Sequence, residues 1–320
     1  MVMIMEKEER QLLVEVSVLY YLEGKTQNEI AKELFLSRPK VSRLLKRARE
    51  LQVVDININY DCDALEILRN EIKKKFNVKE VFVVKTLSDY EDTLREIGKA
   101  GAKVLMQEIQ EGMTIGISWG RTVRNTVSQL KNKEINDIKI VELFGAMTYN
   151  LDDSDMLSIG RILSGKIGGK LYPLPAPVYI GDKNTRDVLV SNPIIKNALN
   201  MIKKCDLVLT GLGTVDGNAN ETIWEVYVES DTKERIKKNG GVGFICAHFF
   251  DKNGEFLDID INRNVIGIET EDIKKNKIIL VASGKKKSKA ILGTLRGGYI
   301  NTLVSDENTL RHVLELESKK

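Results

Sequence analysis

Apolar residues recur along this chain at two different periods, and the change of period divides it. In the first sixty residues the spacing is helical. Leu12, Leu13, Val16, Leu19 and Tyr20 share one face of a helix over about 9–23, which Gly24 ends. Ile30, Ala31 and Leu34 form a second, shorter stripe, with small Ala31 where two helices must approach closely. Val41, Leu44 and Leu45 form a third. Thr26 with Glu29 three residues on is a capping-box pattern, and Ser37 precedes Pro39 as an N-cap precedes a first-turn proline. Phe35 occupies the turn between these helices, where glycine or asparagine would take a left-handed conformation more easily. Residues 53–60 alternate apolar and polar, as a strand or wing does.

Beyond a helix over about 62–76 the pattern becomes short apolar runs separated by amphipathic segments. Strands are expected at 79–85, 113–118, 138–144, 206–210, 243–250, 277–282 and 302–304. Helices are expected at 89–109, 121–130, 155–168, 287–297 and after a cap at Asp306. Near-continuous apolar strands alternating with helices predict a mostly parallel sheet covered on both faces. The stretch 172–178 contains three of the five prolines and should be an extended connection. The fold class is therefore α/β, with a helix-turn-helix DNA-binding domain at 1–60 and a larger, mostly parallel α/β effector and oligomerisation domain at 61–320.

Charge sharpens the first half of this picture. The chain has 49 basic and 46 acidic residues, yet 37–49 carries Arg38, Lys40, Arg43, Lys46, Arg47 and Arg49 and no acid. A cationic helix alone is often only a solvated face. A basic helix behind a turn, supported by two further helices and two caps, is what major-groove docking requires. Arg38, Lys40, Ser42, Arg43 and Arg47 face outward, the first of them placed for base edges and the later ones for phosphates. Thr26, Gln27, Ser37 and Pro39, at the two helix starts, complete the expected DNA-facing set.

Composition excludes several alternatives. An apolar fraction of 42% supports a packed core, and 320 residues are too many for a lone DNA-reading domain. No run of about 18 apolar residues exists, so no membrane span is expected. The start, MVMIMEKEER, is too short in its apolar part for a signal peptide, which predicts a cytoplasmic protein. Cys62, Cys205 and Cys246 are widely spaced, arguing against a disulfide framework and a zinc site. With His248 and His312 the only histidines, neither a metal nor a cofactor is expected.

Candidate chemistry in the second domain gathers in glycine-bearing loops after strands, where open α/β sheets bind ligands. Ser118, Trp119, Gly120, Arg121 and Thr122 follow one strand and open a helix. Gly145 follows the next strand, and Gly211 and Gly213 another. Lys287 comes shortly after Ser283 and Gly284, placed to neutralise a phosphate. Asp251 lies in a turn after the strand that holds His248. Each has an ordinary explanation: glycines serve turns, Lys287 belongs to a lysine run, and aspartate is a turn former. Together they describe an anion pocket suited to a phosphorylated sugar or polyol.

The helix SRPKVSRLLKRARE, the phrase EGMTIGISWGRT, the turn FFDxxG and the stretch ASGKKKSK occur in this order over nearly the whole chain. In these motifs it resembles the SorC/DeoR-type bacterial regulators. The resemblance implies a winged or related helix-turn-helix and an effector domain like the glucosamine-phosphate and ribose-phosphate isomerases. It also implies tetramers on operator DNA, released or rearranged by a phosphorylated sugar. Ser118, Trp119, Gly120 and Thr122 match the family's loop, Lys287 its phosphate lysine, and Asp251 the aspartate that faces the sugar. Two positions depart from the pattern. Ser283 replaces a glycine, and Phe144 stands where a polar side chain would read the ligand, so no Schiff base can form there.

Ligand-gated transcriptional control is the leading function, with operator DNA and a phosphorylated sugar or polyol as partners and a homotetramer or homodimer as the assembly. The alternative is a sugar-phosphate isomerase with an appended helical domain, for which His248 and Asp251 are the nearby acid–base candidates. A purely architectural DNA binder leaves the α/β domain without a role.

Overall fold

The computed structural model describes residues 7–51, 53–54, 62–146, 159–215, 228 and 230–319. The chain separates into two compact units, 1–60 and 61–320.

The first unit is three helices around a small core. Helix α1 (Lys7–Ser17) runs on into a π-helical turn, Val18–Leu22, and is followed by α2 (Gln27–Glu33) and α3 (Arg38–Glu50). Leu13, Val16, Leu19, Ile30, Ala31, Val41, Leu44, Leu45 and Ala48 are buried together, so the three helical stripes interlock. Thr26 and Glu29 form the capping box, and the Ser37 hydroxyl accepts the Lys40 amide. The turn between α2 and α3 takes the left-handed conformation at Phe35 itself, with φ of 53° and the ring 96% exposed. The strand or wing expected over 53–60 lies, from 55 onward, outside the described residues.

The second unit opens with α4 (Cys62–Phe76) and then alternates: β1 (Glu80–Val84), α5 (Tyr90–Glu108), β2 (Thr114–Ile117), α6 (Arg121–Ser128), β3 (Lys139–Glu142), α7 (Ile159–Ile167) and β4 (Lys170–Tyr172). Helices α8 (Lys183–Ser191) and α9 (Pro193–Ile202) lead to β5 (Leu207–Thr210) and the short β6 (Gly213–Thr214). Next come α10 (Ser230–Lys238), β7 (Gly241–Ile245), β8 (His248–Asp251), α11 (Asp260–Arg263), α12 (Thr270–Lys275) and β9 (Ile278–Val281). A 3₁₀ turn, Lys285–Lys287, precedes α13 (Ser288–Gly297), β10 (Thr302–Asp306) and α14 (Glu307–Ser318).

Seven strands form one sheet in the order β1-β10-β9-β5-β2-β3-β4, every pair parallel. β2, β5 and β9 are buried along their whole length, as apolar strands covered on both faces must be. One face packs Ile115, Ile117, Leu209 and Val281 against Ile97, Leu105, Val123, Val127 and Leu163 of α5, α6 and α7. The other packs Val208, Leu280 and Leu303 against Leu68, Ile72, Ile195, Ile291, Leu310 and Val313 of α4, α9, α13 and α14. From β2 the chain builds outward through β3 and β4, whereas β5 lies on the other side of β2 and leads on to β9 and β10. The carboxyl ends of β2 and β5 therefore flank a topological switch point, where a crevice opens.

One expected strand is two. Residues 243–250 divide at Cys246 and Ala247, both with positive φ (48° and 68°), into the hairpin of β7 and β8. With β6 these make a three-stranded antiparallel sheet. A two-residue hairpin turn of type I′ needs left-handed backbone at both positions, and Cys-Ala gives no hint of it. Helix α6 ends at Ser128 rather than at residue 130, β10 extends to Asp306, and Lys287 precedes α13 rather than sitting inside it. The first four residues of the helix expected at 155–168 lie outside the described residues.

Candidate functional site

On the first unit, the side chains expected to face DNA are mostly free of the core. Thr26, Ser37, Arg38, Pro39, Lys40, Ser42 and Arg43 are exposed, and Gln27 and Arg47 are half-buried. Thr26 and Ser37 use their hydroxyls as caps, so they fix the starts of α2 and α3. Arg38, Lys40 and Arg43 project from the first turns of α3, whose opposite face is buried by Val41, Leu44 and Leu45. Arg47 pairs with Glu9 of α1 at 3.0 Å, which ties the end of the basic helix to its support.

On the second unit, three loops meet at the carboxyl edge of the sheet. The Ser118 amide donates to Leu209 O at 3.1 Å, extending the β2–β5 ladder, and the Gly211 amide donates back to the Ser118 hydroxyl at 3.3 Å. Gly120 has φ 141° and ψ 155°, a conformation essentially closed to other residues, and among the described residues no side chain caps the helix α6 that starts after it. The first-turn amides of α6 thus give the crevice the positive end of a helix. Buried Thr122 donates its hydroxyl to Val281 O at 2.9 Å and so joins α6 to β9. The loop after β9 comes next: Tyr90 donates its hydroxyl to Ser283 O at 3.3 Å, and Thr214 donates to Lys286 O at the same distance. Exposed Arg121 lies 5.4 Å from the centre of the Tyr90 ring and 3.2 Å from Glu91. Ser118, Trp119, Gly120, Arg121, Thr122, Gly211 and the Lys287 loop therefore share one rim, with Tyr90 as a member the sequence did not reveal.

The neighbouring loop joins through aromatic contact. Trp119 meets Phe144 edge to face at 5.5 Å, and its indole nitrogen is buried with no hydrogen-bond partner among the described residues. Gly145 donates to Ile266 O at 3.0 Å, and a β-carbon there would stand 2.3 Å from Ala176 O, so only glycine fits. Gly213 lies one step away in β6, paired with Phe244, and shapes the small sheet more than the crevice.

Asp251 closes the turn that follows β8. Its Oδ1 accepts the amides of Asn253 at 2.8 Å and Glu255 at 2.9 Å, an arrangement that makes the turn. A β-carbon at Gly293 would lie 2.9 Å from Asp251 O, which sets this turn beside the middle of α13. His248 is buried: it is 2% exposed, its Nε2 lies 2.8 Å from Ile268 O, and burial pushes its pKa down to about 4. Among the described residues no three of His, Cys, Asp and Glu gather as metal ligands, and no helix is long and apolar enough to cross a membrane.

A helix-turn-helix unit followed by an α/β unit with an anion-suited rim defines a ligand-responsive DNA-binding regulator. The family model described as "Putative sugar-binding domain" matches residues 61–315, and that for "Sigma-70, region 4" matches 6–50. The sorbitol operon regulator of Klebsiella pneumoniae is 30% identical over 95% of this chain and 98% of its own. The deoxyribonucleoside regulator of Bacillus subtilis is 28% identical over 96% of this chain and 98% of its own. The crystal structure of the full-length Klebsiella regulator superimposes with a TM-score of 0.74 at 28% identity, covering 96% of this chain and all of that one. This chain belongs to the SorC/DeoR-type family of sugar-binding transcriptional regulators.

Proposed function

We propose that the effector is a phosphorylated sugar or sugar alcohol, bound in the crevice between β2 and β5, and that it alters the grip of α3 on operator DNA. The observation that carries this reading is the meeting of an uncapped helix start after Gly120 with the Lys287 loop at the switch point. Both supply positive potential to a rim otherwise made of hydroxyls, amides and aromatic rings, the mixture that suits a phosphate on a polyol. The relatives named for operons of sorbitol and for erythritol catabolism support a carbohydrate ligand. Ser118, Trp119, Gly120, Arg121, Thr122, Gly211 and Lys287 would surround it, with Gly145 shaping the adjoining wall. Arg38, Lys40, Ser42 and Arg43 would read the operator. The protein acts in the cytoplasm as a homotetramer or homodimer, so that several recognition helices engage a repeated or palindromic site.

No chemistry on the ligand is proposed. An isomerase needs a base within reach of the substrate carbon. His248 is sealed against Ile268, and Asp251 Oδ1 accepts two amides of its own turn.

Thermal-shift titration across phosphorylated pentoses, hexoses and hexitols should give saturable stabilisation without turnover. A Lys287→Ala variant should keep operator affinity yet lose the response to sugar phosphate. Operator release by this variant at wild-type ligand concentrations would overturn the reading.

A further inference from the structure

The loop that carries Lys287 is held from below by one carboxylate. Asp306 ends β10, is 2% exposed, and distributes its two oxygens over three segments of chain. Oδ1 accepts from the Thr86 hydroxyl at 2.8 Å and the Thr309 amide at 3.0 Å. Oδ2 accepts from the Ser283 hydroxyl at 2.7 Å and the Thr309 hydroxyl at 2.5 Å. The Thr309 oxygen in turn accepts the Gly284 amide at 2.9 Å.

Capping a helix requires one acceptor, and Asp306 Oδ1 already fills that role by accepting the Thr309 amide. The bonds to Ser283 and, through Thr309, to Gly284 do something else: they reach the loop of a different strand. With Tyr90 on the Ser283 carbonyl at 3.3 Å, the residue is fixed by its hydroxyl, its carbonyl and the following amide. From there the loop is short, since the Lys287 amide donates to Gly284 O at 2.8 Å. Whatever sets Ser283 and Gly284 therefore sets where the Lys287 backbone begins. A carboxylate facing a phosphate would repel it, so Asp306 serves the site from behind the loop.

We propose that Asp306 is a positioning residue for the effector: through Ser283 and Thr309 it fixes the 283–287 loop in its anion-binding form. It thereby sets the affinity for a phosphate group that it does not touch. This rests on the effector reading given above. The hydrogen bonds outweigh the effect of burial and hold the Asp306 carboxyl below the usual carboxylate range, so it stays ionised and accepting throughout the neutral range.

The test uses the full-length protein, with inorganic phosphate and glucose 6-phosphate as probes in calorimetric titration, and melting temperature recorded without ligand. Ser283→Ala should weaken binding of the probes about tenfold, the scale of one hydrogen bond to a charged group, with Asp306→Asn at least as weak. Thr86→Val removes a bond to the same carboxylate that does not reach the 283–287 loop, and should lower the melting temperature while leaving probe affinity unchanged. Should Asp306→Asn fail to fold, Ser283→Ala and Thr86→Val still decide the matter. Unchanged affinity in Ser283→Ala, or equal losses in Ser283→Ala and Thr86→Val, would reduce Asp306 to a structural cap. If wild type binds neither probe and Lys287→Ala changes nothing, the effector reading fails first and this inference with it. If Lys287→Ala loses binding and Ser283→Ala does not, the positioning role alone fails.

Discussion

Burial decides what His248 can do. As one of two histidines in the chain, it is a natural acid–base candidate from sequence. The fold gives its Nε2 to the Ile268 carbonyl and leaves Nδ1 buried with no partner among the described residues. Desolvation pushes its pKa from 6.5 down to about 4. Between those values the unfolded chain takes up a proton that the folded chain refuses. Stability contributed by neutral His248 is thus complete above pH 6.5 and is lost as pH falls toward 4, by about 3 kcal/mol over the whole interval. Urea midpoints should drop across this window in wild type and drop less in His248→Asn. Equal slopes in the two proteins would assign the acid limb to another group. At Asp251 the sequence shows that an aspartate follows a strand but not that its Oδ1 accepts two amides of its own turn. Asp306 was readable only as a helix cap. Its bond to Ser283 depends on β9 and β10 lying side by side, a fact of topology rather than of local pattern.

Elements were legible where burial leaves a stripe or an unbroken apolar run. The capping box at Thr26, the cap at Ser37 and the strands β2, β5 and β9 follow from such signals. Helix α8 buries no residue and therefore offered no periodicity to read. The β7–β8 hairpin turns through Cys-Ala, without the glycine or asparagine that announces a left-handed pair. Phe35 is the same problem met knowingly: an unsuitable residue occupies the turn of the helix-turn-helix, and the turn forms regardless. Left-handed backbone costs a side-chain-bearing residue roughly 1–2 kcal/mol, part of which glycine returns as greater freedom when unfolded. With its ring almost wholly in solvent, Phe35 makes little contact to lose. Phe35→Gly should stabilise the first unit by about 0.5–1 kcal/mol, seen as a higher midpoint in its thermal transition. A lower midpoint would mean that the ring does unseen packing.

At the scale of the whole molecule, regulation requires that the ligand distinguish two states by its affinity for them. A coupling of about 1–3 kcal/mol corresponds to a change of 5–150-fold, and it must be reciprocal. Sugar-phosphate affinity measured with operator present should therefore shift by the same factor as operator affinity measured with the sugar phosphate present. Arg43→Ala should weaken operator binding without unfolding the protein. If Arg43 neutralises one phosphate, the variant should also reduce the salt slope by about one. An unchanged slope with weaker binding would place Arg43 on a base edge instead. The two-part organisation and the family were legible because glycine loops and basic helices are local signatures.

The position of β1 carries a consequence for how the protein is made. Among the described residues this strand pairs only with β10, Glu80 against Thr302, and the helix before it, α4, shares its apolar cluster with α14. The earliest strand of the sheet must wait for the latest one. During synthesis the ribosome has to release some two hundred further residues before β1 can dock, so a nascent chain stalled short of β10 would carry a tethered DNA reader beside an unfinished sheet.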